Sequence, residues 1–252
     1  MNIEWNADDY TSNFNFVYGY GEAVTELLTV PQRALVIDLG CGNGTLTKKL
    51  SEKGYRVMGV DASADMIASA RERYPELSFV RADALAFELE EKADAIFSNA
   101  VFHWIDAGKQ QQLLQHIASQ LKPGGELVFE FGGKGCAETV HAELKRVFDG
   151  HGLAYPRVFY FPSIGEYAPL MEKAGFRIHY AVLFDRPTEQ KNENGLEEWI
   201  RMFVKKPFEG MEKGLADEII AETVQRLRPQ LFMNGKWYVD YVRIRMRAVK
   251  VK

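Results

Sequence analysis

Residues 34–44 read A-L-V-I-D-L-G-C-G-N-G. An apolar run ends in a carboxylate, Asp38, and glycines follow at alternate positions, Gly40, Gly42 and Gly44, before the helical pattern T-L-T-K-K-L-S-E-K begins. This is the pattern of a buried strand entering a tight turn and then a helix. Glycines at every second position let the backbone turn sharply and let a ligand lie against the main chain. A dinucleotide turn has the spacing G-x-G-x-x-G and sets its pyrophosphate on the helix N-terminus. Here the spacing is G-x-G-x-G, and Asp38, two residues ahead of the first glycine, would repel a pyrophosphate and suit a cationic ligand.

S-adenosylmethionine carries a sulfonium and an ammonium, and D-L-G-C-G-N-G resembles the first motif of the class I S-adenosylmethionine-dependent methyltransferases. The resemblance implies an enzyme with S-adenosyl-L-methionine as cofactor and no metal. From 34 to 131 the chain alternates apolar runs (34–37, 57–60, 77–80, 95–97 and 126–131) with segments of helical spacing (45–53, 64–74 and 107–121). Such alternation implies right-handed crossovers and an α/β fold with a doubly wound, Rossmann-like, mostly parallel sheet. Ligands of these sheets bind outside the carboxyl ends of the strands.

Polar residues stand at those ends. The second strand, R-V-M-G-V-D, finishes at Asp61, whose carboxylate can take both ribose hydroxyls in charge-assisted hydrogen bonds. The following A-S-A-D-M-I-A-S-A-R opens a helix capped by Ser63 and is similar to the family's second motif, which implies that Ala62 and Met66 flank the adenine. By the same resemblance Asp83, in R-A-D-A, accepts from the adenine amino group while the Ala84 amide bonds a ring nitrogen. In F-S-N-A-V-F-H-W, Asn99 and Ala100 fall at the mouth facing the methionine portion. A lone strand-end Asp is more often a turn or cap residue than a ligand contact. Asp38, Asp61 and Asp83 on three successive strands form a set. Cys41, inside the turn, reads as a small buried filler, and Leu113, Leu114, Ile117 and Leu121 as the core face of a helix.

Residues 1–33 read as an N-terminal helical cap, with helical spacing over 22–28. The resemblance makes Tyr10 a cofactor contact and Tyr18 or Tyr20 weaker ones. Residues 34–185 form the core, ending in an alternating strand over 176–184. The fold normally closes with a hairpin as its last two strands, yet here residues 186–235 intervene, mostly helical over 196–205 and 215–231. The segment 236–252 then supplies the final antiparallel strand of a seven-stranded sheet. A helical insertion at the catalytic end is placed to act as a lid, or simply to shield the sheet edge.

The net charge of −4 gives no basic footprint for nucleic acid, and two cysteines cannot build a disulfide framework or a cysteine-based metal site. The N-terminus, M-N-I-E-W-N-A-D-D-Y, lacks the apolar core of a signal peptide, and the uncharged run 95–105 is shorter than the roughly 20 residues of a membrane span. A cytoplasmic protein acting on a small molecule, with no nucleic-acid or membrane partner, is expected. Methyl transfer from a sulfonium needs the nucleophile held in line in a dry pocket. Carboxylates need no base, whereas hydroxyls and activated carbons do, and His103 is the imidazole placed at the mouth to serve as base or substrate contact. The Asn-Pro-Pro-aromatic signature of base and amide methylation is absent from N-A-V-F. F-S-N-A-V-F-H-W, E-F-G-G-K-G, F-Y-F-P-S-I-G-E-Y and F-D-R-P-T together resemble the small-molecule branch that includes trans-aconitate methyltransferase, implying O-methylation of a carboxylate. For a polycarboxylate the candidate cations are Lys134, Arg186, Arg201 and Lys205. A second reading keeps the cofactor and methylates a carbon, as with quinone or lipid substrates; a third is a non-catalytic cofactor-binding protein.

Overall fold

The computed structural model describes residues 16–251, with side chains from residue 21 onward. Strand β1 (Leu35–Leu39) is buried at every position, as a continuous apolar run requires of a central parallel strand. It pairs in parallel with β2 (Arg56–Asp61) on one side and β4 (Ala93–Asn99) on the other. Beyond β2 lies β3 (Ser78–Arg81), and beyond β4 lies β5 (Leu121–Gly132). The chain thus winds outward from β1 to β3 and returns on β1's far side, which opens a crevice at the carboxyl ends of β1 and β4.

The sheet is completed by β6 (Phe176–Glu189) and β8 (Lys236–Lys250), in the order β3-β2-β1-β4-β5-β8-β6; the two-residue β7 (Phe232–Met233) pairs only with β8. β8 runs antiparallel between β5 and β6, with Arg243 opposite Gly132 and Arg245 opposite Glu130. The α/β expectation of a mostly parallel sheet with an antiparallel last strand therefore holds. The sixth strand, expected to end near Phe184, continues through Pro187 to Glu189. Proline is tolerated there because β6 is an edge strand, where a missing N–H need not interrupt a ladder.

Helices α1 (Phe16–Thr25), α2 (Thr45–Glu52), α3 (Ala64–Arg73), α4 (Gln110–Gln120), α5 (Glu138–Gly150) and α6 (Ile164–Lys173) flank the sheet. The first was expected over 22–28 and instead begins at Phe16 and stops at Thr25, whose hydroxyl donates back to the Glu22 carbonyl; Leu27 and Leu28 follow in turns. Ser63 caps α3 by accepting from the Met66 amide, and Ser163 forms a capping box with Glu166 at α6. Leu113, Leu114 and Ile117 of α4 are fully buried against the sheet, as their helical spacing requires. The opposite face packs Val24, Leu46 and Leu50 against Phe97 and Val128.

Between the last two long strands, α7 (Gly195–Phe203) and α8 (Lys213–Leu231) pack with α5 into a second core built on Val140, Leu144, Trp199, Ile200, Ile219 and Trp237. From this segment Trp199 and Phe203 of α7 reach the lining of the crevice.

Candidate active site

The crevice forms one cavity that is open to solvent. Its inner half is built by the turns after β1 and β2. Asp38 is 1% exposed, and its Oδ2 accepts from the Thr47 hydroxyl at 2.6 Å. Burial raises its pKa from an ordinary 3.8 to about 7, with the Asp61 charge adding in the same direction. Gly40 turns the chain at a φ of +78°, and a Cβ there would fall 2.0 Å from Val101 Cγ2, so only glycine lets the turn pass beneath the end of β4. The amides of Gly40 and Cys41 both donate to the Val60 carbonyl and tie this turn to β2.

Asp61 is held from two sides: Gly42 N–H donates to Oδ2 at 2.9 Å and Ser63 N–H to Oδ1 at 2.8 Å. Those amides fix the carboxylate plane, while burial still pushes its pKa above the usual carboxylate value. Two carboxylates withdrawn from water, with no cation beside them among the described residues, make a receptor for a cationic ligand. Gly42 leaves room for that ligand, since the nearest atom to an added Cβ would be Met66 Sδ at 4.0 Å.

Of the residues singled out in the sequence, Asp38, Gly40, Gly42, Asp61, Ala62, Met66, Ala84, Asn99, Ala100 and His103 converge on this cavity. Gly44 does not line it; a Cβ there would strike Phe79 at 2.8 Å, so its role is packing behind the turn. Asp83 also lies off the lining, with Oδ1 accepting from the Leu85 amide at 2.9 Å. Tyr10 lies outside the described residues, as do the side chains of Tyr18 and Tyr20. Cys41 is buried beside Gly59 and its pKa is pushed well up by burial, in keeping with an inert filler.

The outer half of the cavity is aromatic. The short 3-10 turn Phe102–Trp104 after β4 brings in His103 and Trp104, the connection ahead of α6 brings in Phe159 and Phe161, and α7 brings in Trp199 and Phe203. Phe159 and Phe161 are parallel, 2° apart with centroids separated by 5.4 Å, and Trp104 meets Phe159 edge-on at 4.9 Å. Trp199 Nε1 donates to the Tyr241 hydroxyl at 2.6 Å.

Within this wall stand His103, singled out in the sequence, and two polar groups that sequence reasoning passed over, His141 and Arg243. His103 Nδ1 accepts from the Gly132 amide at 3.4 Å, an arrangement that places the neutral ring's proton on Nε2. Burial, aided by the Arg243 charge, holds its pKa well below the ordinary value. His141, on α5, shares a 2.7 Å hydrogen bond between Nδ1 and the Tyr155 hydroxyl, its Nε2 is buried without a hydrogen-bond partner among the described residues, and burial lowers its pKa to about 3. Arg243 is 6% exposed, and its Nε lacks a hydrogen bond among the described residues and stands 3.9 Å from Glu130 Oε1. Glu130 is already occupied, accepting from Arg186 Nη2 at 3.0 Å and from Arg245 Nε at 2.8 Å. The guanidinium of Arg243 instead sits over the Tyr241 ring, 4.6 Å from its centroid, in the cavity wall.

None of the four cations expected from the sequence lines the cavity. Lys134 stands 3.8 Å from Glu166, Arg201 pairs with Glu197 and Asp217, and Arg186 binds Glu130. The period-2 run W-Y-V-D-Y-V-R carried the missed signal, because it puts Tyr241 and Arg243 on one face of the last strand.

The profile of a family described as a methyltransferase domain matches residues 36–125. An uncharacterised methyltransferase of Schizosaccharomyces pombe is 29% identical over 98% of this chain and 98% of its own length. A trans-aconitate 2-methyltransferase of Variovorax paradoxus is 30% identical over 71% of this chain and 71% of its own. Among solved structures, phosphoethanolamine N-methyltransferase 2 of Haemonchus contortus, in complex with phosphomonomethylethanolamine and S-adenosylhomocysteine, shares the fold with a TM-score of 0.59 at 17% identity, covering 98% of this chain and 57% of that one.

Proposed function

Because the chain belongs to the class I S-adenosylmethionine-dependent methyltransferases, we propose that it methylates a carboxylate oxygen of a small-molecule acid. The cofactor is S-adenosylmethionine, and the inner half of the cavity suits it. Asp61, its plane set by the Gly42 and Ser63 amides, is the ribose-binding carboxylate. Asp38 faces the cationic methionine end, Ala62, Met66 and Ala84 bound the adenine, and Asn99 and Ala100 stand where the two halves of the cavity meet. Asp83 reaches the adenine from the rim with the carboxylate oxygen that does not cap Leu85.

The observation that carries the carboxylate reading is Arg243, a buried guanidinium in the outer wall whose Nε makes no hydrogen bond among the described residues. A carboxylate is the ligand whose two oxygens match a guanidinium fork. The protonation of the site points the same way. A hydroxyl or carbon acceptor needs a base, but the Nδ1 lone pair of His103 is taken by the Gly132 amide, and His141, with a pKa of about 3, is a poor one near neutrality. A carboxylate arrives ionised. Its oxygen lone pair forms the new O–CH3 bond as the methyl's bond to sulfur breaks, the electron pair of that bond staying on sulfur, and no proton moves. His103 contributes as a neutral Nε2–H donor to the acid, and Trp104, Phe159, Phe161, Trp199 and Phe203 keep water out. The Variovorax paradoxus relative, whose name is that of an acid methyltransferase, supports the same reading.

With radiolabelled cofactor and a pool of carboxylic acids, the labelled product is expected to be a methyl ester that loses its label in mild alkali. A methyl group that survives alkali would instead place the acceptor on carbon or on a phenolic oxygen.

Asp38 supplies a pH signature. Its pKa in the cofactor-free fold, about 7, is above its ordinary 3.8, so its protonated form favours folding; that contribution is full below pH 3.8 and is lost as pH rises through 7. A cationic ligand selects the ionised form. S-adenosylmethionine affinity is therefore expected to rise by up to about tenfold per pH unit as pH approaches 7 and then to level, with proton release on binding below 7. Titration calorimetry in buffers of different ionisation enthalpy reads both, and proton uptake on binding would contradict the assignment.

A further inference from the structure

Resting on the carboxylate reading, we infer that the acceptor is a monocarboxylic acid with an apolar or aromatic body, rather than a polycarboxylate. Charge in the outer cavity limits the acid. Among the described residues that line the cavity, Arg243 is the only lysine or arginine. Of the guanidiniums behind the lining, Arg157 sits over the Phe161 ring at 5.7 Å and pairs with Glu138 at 2.7 Å, and Arg186 and Arg245 both bind Glu130. The two histidines of the wall add no charge near neutrality, since burial holds both imidazoles neutral. Residues 1–20 bring none either, because M-N-I-E-W-N-A-D-D-Y-T-S-N-F-N-F-V-Y-G-Y contains no lysine or arginine.

One guanidinium can neutralise one carboxylate. A second or third carboxylate of the same acid would then lie against Trp104, Phe159, Phe161 or Trp199, or turn toward Asp38 and Asp61, in each case a charge withdrawn from water with no cation of the lining left to pair it. The same wall is a good container for an apolar body. The parallel Phe159 and Phe161 rings, with Trp104 edge-on to the first, line the same cavity as Arg243. The site therefore reads one charged end, then a hydrocarbon or ring.

The test compares acids of both classes on the full-length protein. Binding is read by quenching of tryptophan emission in the presence of S-adenosylhomocysteine, with Trp104 and Trp199 in the wall as reporters, and turnover by label transfer from S-adenosylmethionine. Octanoate and 4-phenylbutyrate represent monoacids, and trans-aconitate and tricarballylate represent polyacids. The monoacids are expected to bind tighter and to give a higher kcat/KM by about 100-fold or more. Phe161→Ala is expected to shrink that ratio by weakening the monoacids while leaving S-adenosylhomocysteine affinity unchanged. If trans-aconitate or tricarballylate equals or exceeds the monoacids, the monocarboxylate inference is overturned while ester formation on a carboxylate stands. If no acid of either class binds or is methylated and label passes to a phenol or a carbon acid, the carboxylate reading falls as well.

Discussion

Asp61→Ala is expected to weaken S-adenosylmethionine binding by about 100-fold, corresponding to about 3 kcal/mol for the loss of two charge-assisted hydrogen bonds. The carboxylate is held by the Gly42 and Ser63 amides in a fixed plane, so a ligand pairing with it pays little ordering entropy. The fold should bear the change. Burial raises the Asp61 pKa, which means that the charged form is disfavoured in the cofactor-free protein, and its removal relieves that penalty while freeing two amides to water in an open cavity. The expected pattern in a thermal melt is a near-normal Tm without cofactor and a much reduced upward shift with it. Asp61→Asn is not a neutral control, because an amide presents one acceptor and one donor to two N–H groups, and the donor would face one of them unpaired. Calorimetry with S-adenosylhomocysteine reads the affinity directly, and an undiminished value would remove Asp61 from the cofactor site.

The inner half of this site was legible because its signals are local. An apolar run ending in Asp38, glycines at alternate positions and a strand closing on Asp61 lie within stretches of a few residues, and the parallel sheet brings strand ends together whatever else the chain does. Asp83 shows the limit of that logic: it follows a strand end as expected, yet one of its carboxylate oxygens turns back to cap Leu85 and only the other is left for a ligand. The outer half was hidden because it depends on long-range register. Arg243, Arg245 and Arg247 are equivalent in the sequence pattern, on the same face of one strand. Pairing with β5 separates them: Arg245 is set opposite Glu130, Arg247 reaches Glu126, and Arg243 falls opposite Gly132, at the strand's carboxyl end. His141 was hidden in another way. It sits on an amphipathic helix whose buried side could have been any apolar contact, until the docking of α7 and α8 turned that side into a cavity wall. The cations expected in the helical segment were misplaced because Arg201 finds Glu197 one turn away, a pairing that helical spacing already allows.

Arg243→Met is the substitution with the largest expected effect on turnover. Loss of the guanidinium should lower kcat/KM for the acid by about 100- to 1000-fold, the range for removing one partner of a buried charge pair, and most of the change should fall in KM because the group holds the acid before as well as during transfer. A purely structural Arg243 predicts something else, namely a lower Tm and weaker cofactor binding. The surroundings argue against that outcome. Glu130 keeps Arg186 and Arg245 after the change, so no buried charge is orphaned, and methionine fills the volume over the Tyr241 ring with a side chain of similar length. His103 should stay neutral as well, since burial outweighs the Arg243 charge in setting its pKa. S-adenosylhomocysteine affinity within about twofold of the parent, together with a collapsed kcat/KM, would mark Arg243 as the acid's anchor. Arg243→Lys should recover only part of the loss, because an ammonium supplies the charge without the planar fork that meets both carboxylate oxygens. Full recovery would mean that the site reads charge alone, and an unchanged KM in Arg243→Met would mean that the acid is held elsewhere.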